Sequence, residues 1–324
     1  MLRNLTEYHW AEHIDDALLL LARLDIKTVP IAGGTYLLGL DDESIEAVVD
    51  LRDLELAYIS EDTRGIYIGP MTTLQSMADA PLLKELASGL LSSSASASSS
   101  SRLIRNSATI GGTLAVGAAS QADLLTAFTA MEAQVVVRSG SRTEVNLSGG
   151  TSERPGLALS GVVYKGKQER RVASDALKRE LRPNELIVEV IVPRPDAICG
   201  ASFARIGRTP TDTALMNAVA LVEIENNVYR RVRLALGGVN MESVRVQAVE
   251  RYLEGQRIDN SQGLVDALQA GMNEVRLPAD ARVSSGYRRV SGTRLAQHVL
   301  EEAASVSFRC GLVSSDRGEK REVR

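Results

Sequence analysis

Four glycine pairs are the residues here whose type and spacing suit chemistry: Gly33-Gly34-Thr35, Gly111-Gly112-Thr113, Gly149-Gly150-Thr151 and Gly237-Gly238-Val239. Each also suits a plain turn. The first follows the strand-like TVPI and the second an Ala-Thr-Ile step, and apolar residues resume after both. With no Cβ in the way, successive backbone N–H groups can converge there into a concavity that fits a diphosphate, with Thr35, Thr109 and Thr113 adding hydroxyls. The third pair runs into SERPG and the fourth ends a strand, so both read as hairpin or loop turns. AGGTYLLGL lacks the G-x-G-x-x-G spacing of a Rossmann turn. A diphosphate-containing cofactor and ordinary turns therefore both stay open from local physics.

Other chemistries are not written in the chain. His9-Trp10-Ala11-Glu12-His13 matches H-x-x-E-H, but zinc catalysis needs a third protein ligand and His298 is the only other histidine. His13 near a helix start and Trp10 in packing is the better account, and no metal ligand is assigned. There is no G-x-S-x-G elbow and no spare histidine base, so no catalytic residue is assigned either. Cys199 and Cys310 are the only cysteines, too few for a disulfide framework or an iron–sulfur cluster. A net charge of −4 without a basic stripe argues against nucleic acid as a partner. No apolar run approaches the roughly 18 residues of a membrane span, and MLRNLTEYHWAEH lacks a secretory signal, so a cytoplasmic protein is expected.

The elements that must hold the glycine turns alternate. HIDDALLLLARL predicts a buried helix with Asp15 and Asp16 at its positive end, and TVPI, AVVDL and GIYIG read as short strands. Thr72 or Thr73 can cap the helix that follows. A helix over about 121–131, strands at AQVVVR and GLALSGVVYKG, and a strong strand at ELIVEVIVP come next. ALMNAVALVEIENNVYRRVRLALGGV predicts an antiparallel segment turning at Asn226-Asn227, with helices over 243–253 and 263–272. From about Ser307 charge replaces apolar periodicity, and residues 305–324 are expected to form a mobile tail. Ser92–Ser101 contains no glycine, unlike a flexible linker, and reads as an ordered wall of small residues beside the cofactor.

PIAGGTYLL resembles the AGGTDLL segment of the FAD-binding medium subunit of molybdenum hydroxylases, and RNSATIGGTLAVGAASQADLL resembles that family's RN-ATIGGNLA and ADLLPAL segments. The family includes flavoprotein subunits of xanthine, carbon monoxide, nicotinate and aldehyde dehydrogenases. The order of DDALLLL, AGGT, IGPMTTL, RN-ATIGG, an ELI strand, F-x-x-x-x-R and LGGV agrees as well, over about residues 7 to 303. The resemblance implies an α+β chain: a two-part FAD-binding domain of the vanillyl-alcohol-oxidase (PCMH) type over 1–178, then a smaller domain over 179–304 with an antiparallel sheet. It implies that Val29, Pro30, Ile31, Ala32, Gly33, Gly34, Thr35 and Tyr36, with Thr109, Ile110, Gly111, Gly112 and Thr113, hold the FAD diphosphate. Asp123 aligns with a cofactor-contacting acid, or is a helix N-cap; Ile187 aligns with a flavin contact, or is a core strand residue.

By the same likeness the chain passes electrons from iron–sulfur clusters through FAD to NAD or another acceptor. The [2Fe-2S] clusters belong to a small partner subunit and the molybdenum cofactor to a large one, in a dimer of heterotrimers. Three departures stand out: Tyr36 where Asp is common, Thr113 for the usual Asn, and Ala204 where relatives carry a basic residue near the flavin ring. They keep two alternatives in view, a free-standing flavin oxidoreductase of the same fold and a scaffold subunit that has lost FAD.

Overall fold

The structure, a computed structural model, describes residues 2–117, 121–144, 162–196, 199–209 and 212–319. Strand β1 (Glu7–Trp10), helix α1 (Ile14–Leu21), β2 (Thr28–Ile31) and β3 (Ala47–Asp50) open the chain. The three strands form a parallel sheet in the order β1-β3-β2, and β2 tolerates Pro30 because it is an edge strand. Asp15 and Asp16 occupy the first turn of α1, while Ala17, Leu18 and Leu21 face Val49 and Leu51. The strand at 7–10 was not evident in the sequence. There Trp10 stays exposed, flanked by the Tyr8 ring and the Arg52 guanidinium, and His9 bonds to Glu7 at 2.7 Å.

A second sheet is antiparallel, in the order β4-β5-β8-β6-β7, from β4 (Ile59–Glu61), β5 (Gly65–Ile68), β6 (Gln134–Glu144), β7 (Val162–Ala173) and β8 (Glu185–Pro193). The helices between β5 and β6 cover it: α2 (Leu74–Asp79), α3 (Pro81–Glu85), α4 (Leu90–Ala97), α5 (Arg102–Ser107), α6 (Ile110–Val116) and α7 (Ala122–Ala130). Their apolar residues, among them Leu74, Leu91, Ile110 and Phe128, share one core with Ile66, Ile68, Val135 and Val190. Thr73, rather than Thr72, caps α2, its hydroxyl accepting the Ser76 N–H at 3.1 Å. A short helix α8 (Leu177–Glu180) precedes β8. The expected domain boundary at 178/179 falls before β8, yet β8 hydrogen-bonds between β5 and β6 and so extends the first unit to Pro193.

The second unit is a four-stranded antiparallel sheet, β12-β11-β10-β9, from β9 (Cys199–Ile206), β10 (Met216–Glu225), β11 (Val228–Gly238) and β12 (Met241–Arg245). Asn226 and Asn227 both take left-handed φ (51° and 62°), as a two-residue hairpin of the primed type requires. Strand β10 is covered on both faces. Met216, Ala218, Ala220 and Val222 meet the helices α9 (Gln247–Leu253), α10 (Ser261–Glu274) and α11 (Ser285–Glu319), while Val219 and Leu221 join the core of the first unit. That double burial explains why the segment reads as a continuous apolar run.

Two expectations are corrected in this unit. Residues 243–245 belong to β12 rather than to a helix, because the β11 edge offers them a partner: Val244 pairs with Leu236 and Arg245 with Ala235. Residues 305–319 continue α11 rather than forming a tail. The backbone N–H of Ile224 donates to the buried Ser307 hydroxyl at 3.1 Å, which ties that part of the helix to the sheet. The glycine pair at 149–150 lies outside the described residues. No helix among the described residues is long and apolar enough to cross a membrane.

Helix α11 lies directly on β9, and a Cβ at Gly200 would overlap the carbonyl oxygen of Ala303. Gly200→Ala is therefore expected to destabilise the protein by about 2 kcal/mol through overpacking. A fall in urea midpoint at constant slope checks it; an unchanged midpoint would mean the helix can back away.

Candidate functional site

The two glycine turns meet. A Cβ at Gly33 would overlap the carbonyl oxygen of Ser107, so the loop after β2 rests backbone to backbone on the end of α5. Gly34 follows with φ 68° and turns the chain into a short 3-10 helix, Leu37–Gly39. A cavity of about 390 Å³ opens beside this contact. Its wall includes Val29, Pro30, Ala32, Gly33, Gly34, Thr35 and Tyr36 from the first turn, Thr109, Gly111, Gly112 and Thr113 from the second, and Ile187 from β8. Ile31, Ile110 and Asp123 are not part of the wall. Sequence reasoning missed Ile45, Leu51, Met71, Gln121 and Leu186, which no local motif distinguishes from core residues, and Pro70, which had shown only as part of IGPMTTL.

The two turns differ in what they offer. At the second, every N–H of the first turn of α6 is already used: Ile110 donates to the Thr72 carbonyl, Gly111 to Pro70, Gly112 to the Thr109 hydroxyl and Thr113 to the Thr109 carbonyl. The expected converging donors are therefore absent there. What this turn presents instead is the Thr113 hydroxyl, 1% exposed and without a hydrogen-bond partner among the described residues. At the first turn the N–H groups from Ala32 to Tyr36 donate to no other described group. An orphaned buried hydroxyl sharing a cavity wall with a row of free backbone donors is the pattern expected of a site that completes its hydrogen bonds with an anionic ligand. A diphosphate is a ligand of that kind.

Glu185 brings a carboxylate to the cavity wall. Burial works against its charge, but the Arg170 guanidinium and the Arg182 N–H, both at 2.9 Å, hold it below the usual carboxylate range. It is a neutralised structural group.

Asp123 neither caps a helix nor reaches the cavity wall. Helix α7 starts at Ala122 with Gln121 as its N-cap, and the Asp123 carboxylate turns inward, 2% exposed. There the Asn217 amide of β10 donates to it at 2.7 Å and the Arg205 guanidinium of β9 stands 3.5 Å away. Arg205 also donates to the carbonyls of Asp212 and of Ala97, at the end of α4. The Thr126 hydroxyl extends the network to Asn217 Oδ1 (2.8 Å) and Ser243 (2.9 Å). A Cβ at Gly237 would overlap the Thr126 hydroxyl, so the glycine makes room for it. Burial pushes the Asp123 pKa up, with Arg205 and Asn217 opposing. Ala204 packs against the core beneath α9–α11, and strand alternation gives the neighbouring Arg205 the face toward Asp123.

The small-residue tract is ordered but lines no part of this cavity. Its serines bond to backbone carbonyls: Ser92 of α4 to Ala78 of α2 (2.7 Å), and, along α4, Ser94 to Leu90 and Ser98 to Ser94 (both 2.8 Å). The small side chains let α4 settle against α2 and α7.

A two-unit α+β chain with a cleft walled by two glycine turns suits a nucleotide cofactor. A family model described as the FAD binding domain in molybdopterin dehydrogenase matches residues 3–152, and one described as the CO dehydrogenase flavoprotein C-terminal domain matches residues 201–303. The glyceraldehyde dehydrogenase medium chain of Sulfolobus acidocaldarius is 26% identical over 301 residues, 92% of this chain and 98% of that one. The carbon monoxide dehydrogenase medium chain of Afipia carboxidovorans is 25% identical over 85% of this chain and 91% of its own length. The fold is that of a carbon monoxide dehydrogenase chain from Hydrogenophaga pseudoflava, at a TM-score of 0.78 and 23% identity, covering 94% of this chain and 99% of that one. The chain belongs to the family of FAD-binding medium subunits of molybdenum-hydroxylase-type dehydrogenases, and is an oxidoreductase subunit.

Two substitutions separate the roles in the buried network. Asn217→Leu strands the Asp123 charge and is expected to cost about 3 kcal/mol or more. Asp123→Asn keeps an acceptor for Asn217 and removes the charge. Because the folded state raises this pKa, the parent's carboxyl adds stability at low pH that is lost as pH rises through the folded value. Asp123→Asn should therefore gain on the parent as pH rises from the ordinary carboxylate range toward neutrality. Chemical denaturation at acidic and neutral pH reads this, and a constant difference between the two proteins would refute it.

Proposed function

We propose that this chain is the electron-transfer subunit of a molybdenum-containing hydroxylase, taking electrons from iron–sulfur clusters on a small partner and passing them through FAD to NAD or another acceptor. The observation that carries it is the free row of N–H groups at Ala32–Tyr36 sharing a cavity wall with the orphaned Thr113 hydroxyl, in a chain of this family. FAD, when bound, supplies the electron transfer. The chain's own residues bind and orient it: the first turn's donors and the Thr113 hydroxyl face the diphosphate, while Ile45, Leu51 and Ile187 exclude water from the apolar part of the cavity.

The named relatives are medium chains, which supports a complex with small and large partners; in our reading the small one carries the iron–sulfur clusters, the large one the molybdenum cofactor, and the whole is a dimer of heterotrimers. We divide the chain into a cofactor-binding part ending at Pro193 and a CO-dehydrogenase-flavoprotein-like part from Cys199. The two cysteines are free thiols, which suits the reducing cytoplasm.

The purified protein is expected to be yellow, to release FAD on denaturation, and to melt higher with added FAD, by about 2.7 kcal/mol at a hundredfold excess over the dissociation constant. Thr113→Val, close to isosteric, should weaken FAD binding about tenfold with the fold intact. A colourless preparation that takes up no FAD would refute the proposal.

A further inference from the structure

A second cavity, of about 430 Å³, lies on the seam between the two units. Thr129 of α7, Ser174 and Lys178 wall one side, and Asn240 and Ser243 of the β11–β12 hairpin the other. It meets the first cavity at Tyr36 and Val116, which line both. FAD has its diphosphate in the middle, with adenosine on one side and the ribityl–flavin arm on the other. A diphosphate turn therefore needs space in two directions, and the Ala32–Tyr36 loop has it.

The two directions differ in chemistry. Toward Ile45, Leu51, Leu186 and Ile187 the wall is mainly apolar and formed within the first unit, and its charged groups are already paired, Lys27 with Asp42 and Glu185 with Arg170. Toward the seam it carries hydroxyl and amide groups, suited to a flavin's ribityl hydroxyls and pyrimidine edge. Tyr36, 48% exposed at the junction, leaves that end within reach of a redox partner.

Lys178 is the one cationic residue lining the seam cavity among the described residues, and it has no ion pair or hydrogen bond there. Its stem lies against Gly117, where a Cβ would crowd Lys178 Cδ at 2.9 Å. Two carboxylates share the cavity: Glu242, paired with Arg179 at 3.1 Å, and Asp175. We infer that Lys178 is the positioning cation of the flavin ring, held in the seam cavity by the hairpin from the second unit, and that it sets the ring's electron affinity. The inference rests on the FAD reading above. It moves the flavin away from Ile187, which then faces the adenosine half, and assigns to Lys178 the positive charge that Ala204 does not supply.

Reduced flavin carries negative charge at its pyrimidine edge, so a nearby ammonium favours reduction. Without Lys178, Asp175 would oppose it. Two measurements on the FAD-loaded protein test this: the midpoint potential by dye equilibration, and sulfite titration, in which sulfite adds its lone pair to flavin N5, places negative charge on the ring and bleaches its visible band.

Lys178→Met should give a more negative potential and weaken sulfite binding about tenfold, with the unfolding midpoint close to the parent. Lys178→Arg should stay within about threefold of the parent for sulfite. An unchanged potential in FAD-loaded Lys178→Met overturns the assignment of Lys178 while leaving the FAD reading intact. A parent protein that takes up no FAD overturns both.

Discussion

One backbone contact organises the cofactor cleft: Gly33 resting on the carbonyl of Ser107. No side chain fits between them, so the loop leaving the parallel sheet can lie directly on the α5–α6 junction. The contact brings the free N–H groups of the first turn and the Thr113 hydroxyl of the second into the wall of one cavity, across about 75 residues of chain. Either turn alone offers few groups to a ligand. Together they offer donors from two directions, which is what a diphosphate needs.

A second constraint holds the two units together. The interface of α7 with β10 and β11 is largely apolar, with Phe128, Val219, Leu221 and Ala235 in one core. Into it are set Asp123, Asn217 and Thr126, all buried and mutually bonded. Apolar contact alone would tolerate several registers of sheet against helix, whereas a buried polar set is satisfied in one. Since Ser243 ends this network and also walls the seam cavity, the register of the second unit bears directly on the cofactor's surroundings.

The fold was legible where local pattern and tertiary role coincide. Asp15 and Asp16 mark the start of α1, Asn226-Asn227 turns the β10–β11 hairpin, and the continuous apolar run of β10 matches a strand covered on both faces. It was illegible where a distant partner decides. Met241–Arg245 is a strand because β11 leaves an edge open beside it, and residues past 305 stay helical because Ser307 receives the Ile224 N–H. Strand Glu185–Pro193 falls after the expected 178/179 boundary and is instead inserted into the middle of the first unit's sheet.

The candidate site divides in the same way. By itself the sequence singled out the two glycine turns as candidates for a cofactor, because backbone freedom and small side chains are local properties visible in AGGT and TIGGT. Only the tertiary structure decided how those turns work. The α6 donors are consumed by Pro70, Thr72 and Thr109, carbonyls and a hydroxyl whose approach no spacing announces, whereas those at Ala32–Tyr36 stay open. The same holds for Asp123 and Arg205, whose charges meet between units, and for the Ser92–Ser101 tract, whose small side chains serve helix packing rather than the cleft. Which polar group remains unpaired depends on every neighbour at once, and that is a property of the folded chain.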